Sequence, residues 1–229
     1  MKEINKQLEA LSSLDKDLKS HKNAARAALM SKYMKNKFEF YGISSPKRKT
    51  IFASHKRNIL STVDATSLDD LLIQCWEYEA REWQYIGLEL LWSAKKHWTK
   101  HTIDLIEKLI VSKSWWDTVD MLAGKIAGAW FMKFPQQRLS IINTWIMSDN
   151  MWLQRSAIIH QLGYKEKTDV DLLLRSIEPY IPSPEFFLRK AIGWALRQYS
   201  KTNPAWVKKI VRAYPLSPLS KREAERLMK

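Results

Sequence analysis

Apolar residues recur along this chain at steps of three and four, and almost nowhere at steps of two. That spacing lines up side chains on one face of an α-helix and leaves no convincing strand. Ile4, Leu8, Leu11 and Leu14 open the series, followed by Ala27, Met30 and Met34. Leu68, Leu71, Leu72 and Trp76 continue it, then Trp83, Ile86, Leu90 and Leu91. Later stretches repeat the pattern at Ile103, Ile106 and Ile110, at Leu139, Ile142 and Ile146, and at Leu188, Ala191 and Leu196. Proline marks helix starts rather than interiors, as in Ser45-Pro46, Ser183-Pro184 and Asn203-Pro204. Ser148-Asp149-Asn150 is a further cap signal, and Ser220 stands three residues before Glu223 at capping-box spacing.

About a dozen helices with short links are expected, and successive pairs recur at roughly 35–45 residues. That is the repeat length of HEAT-type helical hairpins. The expected fold is therefore all-α: a superhelical solenoid of antiparallel helix pairs, one domain over residues 1–229, with a concave face. An irregular helical bundle has the same local periodicity and is the alternative.

Charge narrows the class of partner. Lys and Arg number 38 against 24 Asp and Glu, a formal net charge of +14. A surplus of that size points to a polyanion, nucleic acid ahead of an anionic membrane. The single Cys75 cannot form an internal disulfide and reads as a small buried hydrophobe in a reducing compartment. The five His form no HExxH or Cys/His cluster, and His97 and His101 read as surface residues, so no metal is expected. The amphipathic N-terminus carries acids and is no secretory signal, and no apolar run is long enough to span a membrane. A cytoplasmic protein is expected.

The densest chemistry lies in Ser112–Gly128, SKSWWDTVDMLAGKIAG. Trp116 and Asp120 stand four apart, which sets an indole beside a carboxylate on one helix face. Gly124 and Gly128 extend that row and are expected to leave room for something bulky. Ser114 and Asp117 have capping-box spacing, so Asp117 reads as a helix-start residue. Asp120 lies between Val119 and Met121 and is either an exposed or ion-paired Asp or a functional acid. Arg155, three residues after Trp152, is either a buried partner for Asp120 or a phosphate clamp. Lys190, Trp194, Arg197 and Lys201 follow at steps of 4, 3 and 4. Such a stripe suits phosphates and a flat base or sugar, or else snorkelling cations around a half-buried Trp.

These words together resemble the AlkD-like DNA alkylation-repair glycosylases, which are built from HEAT-like repeats. YMKNKFEFYGISSPKR, SKSWWDTVD, SDNMWLQRSAI, FFLRKAIGWALRQYSKTNP and PLSKREA carry the resemblance, which covers nearly the whole chain. The family's active-site residues fall on Trp116, Asp120, Arg155 and Trp194. The resemblance implies hydrolysis of the N-glycosidic bond of N3- or N7-alkylated purines in duplex DNA, the first step of base excision repair. It implies that Asp120 stabilises charge at C1′ and positions water, that Trp116 and Trp194 contact sugar and lesion, and that Arg155 holds a phosphate. It places Lys190, Arg197, Lys201, Tyr33, Lys47 and Arg48 on the DNA surface. The expectation is of a monomer in the bacterial cytosol or nucleoid, with no cofactor. The lesion is engaged either by flipping the base or by gripping the backbone around it. The alternatives are a non-catalytic DNA-structure-binding protein of the same fold and a helical scaffold for an acidic protein.

Overall fold

The computed structural model describes residues 2–64 and 66–228, with side chains from residue 6 onward. Ile4, expected on the first apolar face, lies outside the described side chains. Among the described residues every named element is helical, and one isolated bridge joins Glu39 to Ala80. The chain is all-α, as expected.

Two compact units divide the chain after Thr102. The first contains α1 (Lys2–Ser20), α2 (Ala24–Tyr33), α3 (Ser45–Leu60), α4 (Leu68–Glu77) and α5 (Glu82–Ser93). Helix α1 packs on α3, and α4 and α3 pack on α5. The expected apolar faces meet here: Leu11, Leu14, Ile51, Phe52, Leu71, Leu72, Trp83, Ile86 and Leu90 are buried. Fully buried Glu82 accepts hydrogen bonds from the backbone N–H groups of Tyr41, Gly42 and Ile43 at 2.9–3.1 Å. Those bonds tie down the loop that returns from α2. Gly42 has φ +83, and a Cβ there would lie 2.1 Å from the Asn23 carbonyl oxygen. Only glycine fits that backbone.

The second unit holds α6 (Thr102–Val111), α7 (Trp116–Met121), α8 (Gly128–Lys133), α9 (Pro135–Met147) and α10 (Met151–Ile159). It ends with α11 (Val170–Ile177), α12 (Phe186–Ser200), α13 (Pro204–Ala213) and α14 (Pro218–Glu225). Sequence signals place most starts. The Asn150 side chain caps α10 by accepting from Trp152 and Leu153, and Asn203 caps α13 by accepting from Trp206. Between α7 and α8 the helix does not stop but widens into a π-helical turn, Leu122–Ala127. Helix α10 is central, packed against α9, α12 and the π-helical turn, and α12 packs in turn on α13 and α14. Ile158, Ile159, Leu173, Ile177, Leu188, Ile192, Leu196 and Val207 share one core there.

Gly124 and Gly128 both face α10 and its end, so the room expected beside them is largely taken by this packing. A Cβ at Gly124 would lie 3.2 Å from Leu162 Cδ1, and one at Gly128 would lie 2.5 Å from the His160 carbonyl oxygen. Small residues here permit close helix packing.

Candidate active site

Helix α7 begins after Trp115, whose backbone is extended and whose carbonyl accepts from Val119. The Ser114 hydroxyl donates to the Ile110 carbonyl at 2.6 Å, closing the preceding helix. The residue preceding α7 is thus Trp115, which makes no side-chain cap, while the Ser114 hydroxyl is engaged by the preceding helix. Asp120 lies one turn into α7, on the face turned toward α10.

Arg155 meets it there. Its Nε donates to Asp120 Oδ1 at 2.8 Å and its Nη2 donates to Oδ2 at 2.9 Å. Nη1 donates to the Phe187 carbonyl at 2.6 Å, across to α12. The guanidinium is thus fixed by three hydrogen bonds from two other helices, the geometry in which an arginine fork is strongest. Its side chain is 3% exposed against 18% for Asp120, so the carboxylate lies on the solvent side of the pair. Of the two sequence readings of Arg155, the buried partner of Asp120 is the one this geometry favours over the phosphate clamp.

Aromatic rings surround the pair. The Arg155 guanidinium carbon lies 6.0 Å from the Trp194 ring and 5.9 Å from the Phe187 ring, at the edge of cation–π range. Phe187 also packs against Trp115 at 5.1 Å and Trp152 at 4.9 Å. Trp116 and Trp194 are both half-buried. Five other tryptophans, Trp76, Trp83, Trp98, Trp130 and Trp145, are buried in the core. Phe187 and Trp115 escaped the sequence reading, and Trp152 entered it only as a neighbour of Arg155. The signal for Phe187 is its backbone carbonyl, which no side-chain pattern reveals.

Burial pushes the Asp120 carboxyl above the usual carboxylate range. The hydrogen bonds and charge of Arg155 oppose that shift, and the negative charge of Asp117 adds to it. An acid held this way sits closer to its titration point than an exposed one, as functional carboxylates commonly do.

The basic stripe is less open than its spacing implies. Lys190 Nζ and Arg197 Nη1 donate to the two carboxylate oxygens of Glu223 on α14, at 2.6 and 2.5 Å. Glu223 forms no capping box with Ser220; Ser217 caps α14, and the Ser220 hydroxyl donates to the Arg189 carbonyl. Lys201 is exposed and donates to Gln198. In the first unit Tyr33 is 69% exposed and Lys47 is exposed. Arg48 does not fit its expected place on a DNA surface. It is 6% exposed, donates to Glu89 at 2.8 Å and lies over the Tyr85 ring. Among the described residues no group of three His, Cys, Asp or Glu could hold a metal ion, and no described helix is long and apolar enough to cross a membrane.

The family model for DNA alkylation repair enzymes matches residues 14–228. A solved structure from Enterococcus faecalis, described as a predicted DNA alkylation repair enzyme, superposes with a TM-score of 0.85. It is 34% identical over 90% of this chain and 96% of that one. No curated protein matches the chain. The chain belongs to the DNA alkylation repair enzyme family, whose substrate is DNA.

Proposed function

We propose that this protein is a monofunctional DNA glycosylase that hydrolyses the N-glycosidic bond of N3- or N7-alkylated purines in duplex DNA. One observation carries the reading. A carboxylate, Asp120, is held by two hydrogen bonds from a buried arginine, faces solvent, and has Trp116 one turn before it and Trp194 beside its arginine.

The chemistry asks for little more. Alkylation at N3 or N7 makes the purine cationic, so it departs as a neutral base and needs no general acid. The two-carboxylate arrangement of sugar glycosidases is unnecessary here. Ionised Asp120 stabilises positive charge developing at C1′ and orients water for attack on it. The faces of Trp116 and Trp194 receive the sugar and the cationic lesion. Arg155 is a positioning residue, since its donors are engaged with Asp120 and Phe187. The exposed Lys201, together with Lys190 and Arg197, contacts phosphates and fixes register without reading sequence. No cofactor enters these steps. We further propose a HEAT-like stack forming one domain over residues 1–229, acting as a monomer in the bacterial cytosol.

Incubation with duplex DNA carrying 7-methylguanine, followed by chromatography of released base, tests the reading. Release of free 7-methylguanine with an abasic product, lost in Asp120→Asn while DNA binding persists, is the expected result. Binding to the same DNA without release would instead favour a non-catalytic DNA-structure-binding protein.

A further inference from the structure

Glu223 was expected to complete a helix cap, yet it turns away from its own helix. Its two oxygens take Lys190 and Arg197, which are i and i+7 on α12 and straddle the next turn. The carboxylate is 9% exposed, beneath Lys190 at 39% and Arg197 at 21%. It therefore lies under the two cations on their protein side, where an approaching phosphate cannot carry it away. Its backbone position is fixed as well. A Cβ on Gly193 would meet the Glu223 Cβ at 2.5 Å and the Ser220 carbonyl oxygen at 2.8 Å, so glycine at 193 lets α14 seat directly on α12. Trp194 follows Gly193 in the chain. Arg226, one turn after Glu223, adds a further positive influence on the same carboxylate.

We propose that Glu223 is a built-in counter-anion that limits the phosphate grip of the α12 face, leaving Lys190 and Arg197 with one net positive charge rather than two. The inference rests on the reading that α12 contacts DNA. Electrostatic binding to duplex scales with the phosphates a protein neutralises, each adding about 0.9 to the slope of log affinity against log salt. A fixed acid among the contacting cations subtracts from that sum for every DNA sequence alike. It thereby sets a ceiling on binding to undamaged duplex.

Binding of the full chain to an undamaged duplex, measured by fluorescence anisotropy across a salt series, tests this. Glu223→Gln keeps the shape and removes the charge. It should steepen the salt slope by about 0.9 and tighten binding about eightfold at 0.1 M salt. An unchanged or shallower slope in a folded Glu223→Gln protein overturns the inference. If that variant fails to fold, the pair Glu223→Gln with Lys190→Gln decides, because removing both partners of a bridge leaves neither charge stranded. The double variant should match the wild-type slope; a loss equal to that of Lys190→Gln alone overturns the inference. Release of 7-methylguanine by the unaltered protein, assayed alongside, shows separately whether the glycosylase reading holds.

Discussion

Each unit buries an aspartate against donors from distant parts of its chain, and the two acids are held in opposite ways. In the first unit Asp15 on α1 accepts from the Tyr41 hydroxyl at 2.8 Å and the Trp83 indole at 3.1 Å, and pairs with Lys19 at 2.6 Å. Burial alone would raise its carboxyl, but the Lys19, Tyr41 and Trp83 donors together hold it below the ordinary value. In the second unit Asp120 has one donor residue, Arg155, and burial prevails over it. Three different donors make Asp15 a structural anion locked into its ionised form. A single fork leaves Asp120 a carboxylate whose charge is less well satisfied and whose open side faces solvent. On the proposed mechanism, that difference separates a stabilising acid from one that answers positive charge developing in a substrate.

The largest test of that contrast is to neutralise each acid. Asp120→Asn should slow release of 7-methylguanine by about a hundredfold to a thousandfold, the usual cost of removing one electrostatic stabiliser. Asp15→Ala strands the Tyr41 hydroxyl and the Trp83 indole, and should lower unfolding stability in urea by about 3 kcal/mol. The folded fraction should retain wild-type release. Loss of release by folded Asp15→Ala protein would break the comparison.

A third buried titratable group extends it to histidine. His160 is fully buried, its Nδ1 lies 2.7 Å from the Ala157 carbonyl oxygen, and its Nε2 has no hydrogen-bond partner. Burial pushes the ring down to about 4. A lowered histidine favours folding above its unfolded value of 6.5, and that contribution is lost as pH falls from 6.5 toward 4. A shift of that size corresponds to about 3 kcal/mol. In urea unfolding, the stability of the wild type relative to His160→Phe should be constant above pH 6.5 and should fall by about 3 kcal/mol as pH drops from 6.5 toward 4. Curves that stay parallel between pH 6.5 and 4 would exclude His160 as the source.

Arg155→Gln should act chiefly on Asp120, though it also removes the donor to the Phe187 carbonyl. Removing the arginine takes away the influence that lowers the Asp120 carboxyl, so its titration moves further up. On the proposed mechanism ionised Asp120 performs the chemistry, so the acid limb of the pH–rate profile should shift to higher pH. Release at neutral pH should fall by about tenfold or more, as the carboxylate also loses its fixed orientation. Arg155→Lys keeps a charge without the fork and should restore part of the pH shift but little of the rate. A uniform fall in rate with no movement of the acid limb would make Arg155 merely structural.

How much of this was written in the sequence depends on the range of the interaction. Helix faces follow from spacing within one helix, so the burial of Leu71, Ile86 and Ile106 could be read directly. So could the Asn150 and Asn203 caps, which act over two or three residues. The four residues Trp116, Asp120, Arg155 and Trp194 were recognisable through the words around them. The π-helical turn was not, because its extra residue leaves no mark in an apolar pattern. At both expected capping boxes a side chain is drawn elsewhere for one reason. Ser114 and Glu223 have the right local spacing, but a closing carbonyl at Ile110 and a pair of cations on α12 offer better partners. Arg48 failed likewise: its word looked like surface, and Glu89, distant in sequence, drew it inward.

Asp117 provides the finest test, because the cap reading and the electrostatic one predict different observables. It stands in the first turn of α7, and its negative charge raises the Asp120 carboxyl. Asp117→Asn removes that charge while keeping the side chain's shape. The Asp120 titration should then move down, and the acid limb of the pH–rate profile should shift to lower pH, opposite in sign to Arg155→Gln. The rate on the neutral plateau should change by less than about threefold, since on the proposed mechanism the plateau is where Asp120 acts ionised. Were Asp117 a cap residue instead, the substitution would leave the profile where it was and stability nearly unchanged, since Asn caps about as well as Asp. A shift in the same direction as Arg155→Gln would contradict both readings, because no loss of a neighbouring negative charge can raise a carboxyl.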